Sequence, residues 1–211
     1  MPRIACLLVP LFPLAARLRA EPELAGETVA VCEGNGSAAR IIAASRAARQ
    51  LGVRAGMTLA QARGVLPTLI ARGRDPGCER SAHEALLEVA WTLSPQVEDA
   101  ADDLVFADVS GMDSLYPGAS GERDLGQAAA VAAESLDLPL RVGVAGTKLA
   151  ARVAARLPAS PTVVPVGEEG RRAATLAASL VPATPTRRGR SSDSAATAAA
   201  CPRSRSPLAP G

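Results

Sequence analysis

From Arg3 to Val9 the chain is almost continuously apolar, which at this length predicts a strand buried on both faces; Pro10 ends it. Leu14 to Leu18 has a short helical pattern, Glu21 to Gly26 reads as a turn, and Thr28 to Cys32 as a second strand. The segment Glu33-Gly34-Asn35-Gly36-Ser37 tolerates positive φ, so it predicts a hairpin-type turn with Arg40 to Ala43 as the return strand. Short helices follow over Ser45 to Leu51, closed by Gly52, and over Leu59 to Val65, capped by Thr58 and stopped by Pro67. After the break Gly73-Arg74-Asp75-Pro76-Gly77, Ser81 caps a helix with Ala82, Leu86, Val89, Ala90 and Leu93 on one stripe and Glu84 completing a capping box. Val97 to Gly111 then reads as a turn crowded with carboxylates running into a strand, because Leu104, Phe106 and Asp108 alternate with Val105, Ala107 and Val109. A helix over Gly121 to Leu136, a strand over Leu138 to Ala145, a helix over Lys148 to Leu157 and a strand over Pro161 to Val166 complete the pattern.

This order predicts an α+β fold: a ferredoxin-like split βαβ sheet from residues 1–11 and 75–168, with residues 12–74 inserted as a small α/β subdomain. Residues 169–181 read as a linker helix. From Pro182 the chain turns to Arg, Ser, Pro and Ala without an apolar period, which predicts a disordered tail over 182–211. So abrupt a change is also what a truncated or frame-shifted chain would leave.

Composition narrows the function classes. Of 211 residues 48% are hydrophobic, yet only Phe12, Trp91, Phe106 and Tyr116 are aromatic, so the core is built from Ala, Leu and Val. Stacking platforms for bare bases are therefore not expected. The 23 basic and 21 acidic residues leave a net charge of +2, so nucleic-acid binding has to be argued from local placement. Lys148 is the only lysine. Cys6, Cys32, Cys78 and Cys201 are scattered and His83 stands alone, which fits reduced thiols in the cytoplasm better than a zinc site. Pro10 and Pro13 interrupt the apolar N-terminus, so neither an export signal nor a membrane span is expected. The acidic strand entrance is the one stretch where metal-assisted phosphoryl chemistry would place oxygen ligands.

Three segments resemble the Y-family (DinB/UmuC-type) translesion DNA polymerases over residues 1–168. Ala48-Arg49-Gln50-Leu51-Gly52-Val53-Arg54-Ala55-Gly56-Met57 is similar to the family's ARKxGVxxGM segment in the fingers. Gly143-Val144-Ala145-Gly146-Thr147-Lys148-Leu149-Ala150-Ala151 is similar to its GxxxxKxxAK segment, and the acidic strand is the third match. The resemblance implies a palm, with a fingers insertion, in which active members hold two Mg²⁺ ions on three carboxylates. Here Leu8 stands at the first carboxylate position and Pro10 at its neighbour. In the ungapped register Asp103 keeps the second carboxylate and Leu104 replaces the third; a one-residue bulge would present Asp102 and Asp103 as the pair, though nothing then restores an oxygen at Leu8. No catalytic set is then intact, Asp103 is the remnant metal ligand, and no cofactor is expected. Pro13 takes the position of the aromatic residue that discriminates the sugar. Arg49 and Lys148 match the family's triphosphate contacts, with Arg46 replacing a tyrosine beside them.

Polymerase architecture without its metal ligands is similar to the ImuB branch. That branch implies a non-catalytic adaptor in damage-induced (SOS) mutagenesis, bridging the sliding clamp, a RecA-like accessory protein and a C-family polymerase. DNA would be held weakly through its phosphate backbone. The competing readings are an active error-prone polymerase, against which Leu8 and Leu104 count, and a truncated relic.

Overall fold

The computed structural model describes residues 2–118 and 120–168; the expected linker helix and tail lie outside the described residues. The main sheet has the strand order β5-β6-β1-β7-β8, built from β1 (Ile4–Leu8), β5 (Val97–Ala101), β6 (Leu104–Asp108), β7 (Arg141–Ala145) and β8 (Thr162–Val163). All neighbours are antiparallel except β7 and β8. The central place of β1, between β6 and β7, accounts for its unbroken apolar run. The four strands β5-β6-β1-β7, with α4 (Pro76–Leu93) and α5 (Gly121–Glu134) as crossovers, have the ferredoxin-like order.

Side chains alternate between two cores. Leu7, Val9, Val105, Val142 and Val144 pack with Leu86 and Val89 of α4 and Leu125 of α5. On the opposite face Cys6, Leu8, Leu104 and Phe106 pack under α6 (Lys148–Ala155), which contributes Ala150, Ala151, Ala154 and Ala155. The all-alanine underside lets α6 lie unusually close to β7. A Cβ on Gly143 would come within 2.2 Å of the Ala151 carbonyl oxygen and 2.4 Å of the Ala155 nitrogen.

The insertion carries a second sheet, order β3-β2-β4, from β2 (Val29–Glu33), β3 (Arg40–Ala44) and β4 (Ile70–Gly73). The helices α2 (Arg46–Gln50) and α3 (Leu59–Val65) belong to it; Thr58 and Gln61 form a complete capping box at the start of α3. The helix α1 (Phe12–Ala20) serves both cores, since Phe12, Ala15 and Ala16 face the main one while Leu14 packs with Val29, Val31 and Ala43. Charged groups tie the crossing together: Arg17 pairs with Glu21 and Asp75 and donates to the Gly73 carbonyl, while Arg72 pairs with Glu21.

The elements depart from the sequence expectation in three places. Helix α4 begins at Pro76, because the Asp75 carboxylate accepts from the Gly77 and Cys78 amides at 2.8 and 3.1 Å and Pro76 has no amide hydrogen to satisfy. Ser81 is therefore inside the helix, where its hydroxyl accepts from Arg19. Second, Val97–Ala101 is a strand, not a turn; as the sheet's edge it exposes four of its five residues, which hides any alternation. Third, Ile70–Gly73 pairs parallel to β2 as a strand that four residues of mixed polarity did not announce. No helix among the described residues is long and apolar enough to cross a membrane.

Candidate functional site

The antiparallel register of β1 and β6 sets Leu8 directly opposite Leu104. Both are buried, at 6% and 3% exposure, against Cys6, Phe106 and the alanines of α6. The ladder continues past them without a slip, because the Val9 amide donates to the Asp103 carbonyl at 2.9 Å. The irregularity in this region lies elsewhere, between Asp99 and Ala101 on β5. The β1–β6 ladder itself carries no bulge, and Asp103 stands half-buried in the turn before Leu104 with Asp102 exposed beside it.

One end of α6 adds cations that the sequence reading did not single out. The buried thiol of Cys6, neighbour of Leu8 on the same face, is pushed up to about 12 by burial; Arg152 and Arg156 pull it down and Asp103 pushes it further up. Both arginines are exposed, Arg152 in the last turn of α6 and Arg156 at its C-cap, four residues apart. Arg141, the partner of Leu8 on its β7 side, donates to the Arg156 and Leu157 carbonyls at 3.2 and 3.3 Å. It thereby satisfies carbonyls that the end of α6 leaves open. One signal for Arg152 was legible: it closes the GxxxxKxxAK-like segment with a cation.

Lys148 sits apart from that end. It is the first residue of α6, after the Thr147 cap, where the positive end of the helix disfavours a cation. Glu98 offsets this by pairing with its ammonium, which lies 5.9 Å from the centre of the Phe106 ring. Glu98 and Phe106 are themselves ladder partners, so the lysine reaches across β6 to β5. The site is an open cleft lined by Gln96, Glu98, Phe106, Asp108 and Lys148. Phe106 lies two positions along β6 from Leu104, roughly 7 Å by strand rise.

Arg46 and Arg49 are exposed on α2, whose start is capped by Ser45 accepting from the Ala48 amide. Among the described residues no hydrogen bond or ion pair joins either to Lys148, and α2 contributes nothing to the cleft beside it. The structure thus brings Leu8, Leu104 and Asp103 together and leaves the three cations matched by resemblance on two separate elements. Pro13 is half-buried in the first turn of α1, behind Leu11, whose φ of 53° is left-handed.

Two divalent ions do not fit this donor set. Mg²⁺ takes oxygen ligands, and at this sheet end the carboxylates are the adjacent Asp102 and Asp103 of one turn, with Leu8 offering no oxygen from the facing strand. Among the described residues no group of three or more His, Cys, Asp or Glu side chains is arranged to hold a metal.

A ferredoxin-like sheet that opens on β1, accepts an α/β insertion and returns as a β-hairpin has the arrangement that the resemblance to a Y-family palm and fingers implies. Solved structures agree at the level of fold. A post-insertion binary complex of Dbh DNA polymerase superposes with a TM-score of 0.70 at 20% identity, covering 81% of this chain and 50% of that one. For an insertion ternary complex of the same polymerase the score is 0.68, also at 20% identity, with 79% and 49% covered. The model of the impB/mucB/samB family matches residues 8–156, and the chain belongs to that family. Among curated relatives, DNA polymerase IV 2 of Mesorhizobium japonicum is 37% identical over 153 residues, 71% of this chain and 35% of its own length. Protein ImuB of Caulobacter vibrioides is 32% identical over 127 residues, 60% of this chain and 27% of its own. The chain thus spans about a third of the length of the curated relatives it matches.

Proposed function

We propose that this chain is a Y-family polymerase-like module that serves translesion synthesis and DNA repair without transferring nucleotides itself, as an adaptor or DNA-binding unit. The observation that carries the reading is the Leu8–Leu104 pair. Where the resemblance expects two carboxylates, two aliphatic side chains are buried in the same apolar cluster. Without preorganised charge at the transferring phosphoryl group, such a reaction loses orders of magnitude in rate. The similarity to Protein ImuB supports the adaptor role; a sliding clamp, a RecA-like accessory protein and a C-family polymerase are the partners that the family resemblance would add.

In this reading residues 1–11 and 75–168 act as palm and residues 12–74 as fingers, with α1 shared between them. Arg46, Arg49 and Lys148 are the proposed nucleotide or phosphate contacts, and the exposed Arg152 and Arg156 at the other end of α6 add to the cationic surface. One observation favours a second reading, an active error-prone polymerase: the relative of 37% identity is named DNA polymerase IV 2.

Binding of a fluorescent primer–template duplex, followed by anisotropy against salt in EDTA and again with Mg²⁺, tests the module. Arginines meeting phosphates give weak binding that falls steeply with salt and does not need the metal. Binding that depends on Mg²⁺ would favour the active polymerase.

A further inference from the structure

The acidic hairpin is gripped by a residue that the proposed function does not use. His83, the chain's single histidine, projects from the middle of α4 with 17% of its side chain exposed. Its Nδ1 lies 3.0 Å from the Asp102 carbonyl oxygen, in the turn between β5 and β6. Its Nε2 lies 3.1 Å from a carboxylate oxygen of Asp99, on β5.

Both partners are acceptors. A carbonyl oxygen and an ionised carboxylate have no hydrogen to give, whereas a neutral imidazole has one N–H and one bare lone pair. Either neutral tautomer therefore sets a lone pair against an oxygen at one of its two contacts. Only the imidazolium donates to both. We infer that His83 is a proton-operated clamp: protonated, it ties α4 to both the strand and the turn of the β5–β6 hairpin, and deprotonated it has to release one of them. The clamp does not depend on the proposed function, since it needs only α4 and the hairpin.

The neighbouring charges support the cationic form. From the hairpin, Asp99 and Asp102 both favour it, with Asp103 one residue further along the turn. From α4 itself come Glu79 and Arg80, and from the adjoining elements Glu33 and Arg74. Arg74 is taken up by ion pairs with Glu79 and Glu33, so those three largely satisfy one another. Arg80 is the cation left to oppose the clamp, and it is exposed. Partial burial draws the His83 pKa down, but the bonds to Asp102 and Asp99 outweigh it, and the net direction is up from 6.5. A histidine with a raised pKa stabilises fully below its ordinary value, and that contribution is lost as pH rises through the raised one.

With one histidine in the chain, the imidazole resonances of the full-length protein need no assignment. A pH titration of the ring ¹⁵N shifts should find both nitrogens protonated together on the acid side. The imidazolium should still be the major form at pH 6.5, because the midpoint lies above that value, and Asp99→Asn should lower the midpoint. Amide exchange at Ala101 to Leu104, corrected for its intrinsic pH dependence, should lose protection several-fold above the midpoint in the parent and show no such step in His83→Gln. A midpoint at or below 6.5, a midpoint unmoved by Asp99→Asn, or parent protection that ignores pH would each overturn the clamp. The parent titration decides the matter even where a variant fails to fold.

Discussion

Leu8 and Leu104 face each other across the β1–β6 ladder, and both are buried in one cluster with Cys6, Phe106 and the alanines of α6. Because they belong to a packed core, their energetics should be those of core residues. Leu8→Ala should cost about 2–5 kcal/mol of folding stability in denaturant titration. Leu8→Asp should cost more, and its cost should grow with pH: burial raises a carboxyl pKa, so the folded state keeps the proton that the unfolded state releases. The variant is then least handicapped below the ordinary carboxylate range and loses stability as pH rises toward its raised value. Stabilisation of the Leu8→Asp variant by Mg²⁺ would show that a metal site persists.

Gly143 is where α6 comes closest to the sheet. Gly143→Ala places a carbon against backbone that is hemmed in by the Ala151 carbonyl and the Ala155 amide, so neither neighbour can swing away. Overpacking of this kind costs about 1–3 kcal/mol. Thermal denaturation should report at least that loss, whereas Gly64→Ala, with open space around it, should report none from contact.

Lys148 and Glu98 form a half-exposed ion pair, a kind worth about 0–1 kcal/mol, so a phosphate can replace the carboxylate. If Lys148 is a phosphate contact, Glu98→Gln should tighten binding of a nucleoside triphosphate in EDTA, and Lys148→Ala and Arg49→Ala should weaken it. Calorimetric titration checks all three. Indifference to every substitution would remove these residues from the proposed nucleotide set.

Asp75 should sharpen the acid limb of the stability curve. The Cys78 amide, with that of Gly77, holds its carboxyl below the usual value of 3.8. Stability from a lowered carboxyl pKa is present above the unfolded value and lost as pH falls through the folded one. Asp75→Asn keeps a capping oxygen without the charge, so melting temperatures between about pH 5 and 2 should fall less steeply than in the parent.

The central strand and the helical stripe of α4 were legible because each repeats one period over enough residues: β1 is apolar throughout, and Leu86, Val89 and Leu93 recur at helical spacing. Edge strands were not. β5 exposes Glu98 and Asp99 to solvent, and nothing in Val97 to Ala101 distinguishes a solvated strand from an acidic turn until β6 pairs with it. The start of α4 was missed for a local reason, since Asp75-Pro76 is a cap and a first-turn proline, while Ser81 with Glu84 mimics the same signal further along the helix. In the candidate site, sequence placed Leu8 and Leu104 on two strands; only the register makes them partners. The Glu98 partner of Lys148 and the influence of Arg152 and Arg156 on the Cys6 thiol are long-range, and no local pattern encodes them.

The most direct measurement is primer extension by the purified chain with a primed template, all four deoxynucleoside triphosphates and Mg²⁺. A palm with Leu8 facing Leu104 should extend primers no better than buffer, and Asp103→Ala should change nothing. Extension by the parent that Asp103→Ala abolishes would contradict the account and show that the sheet end still assembles a metal site.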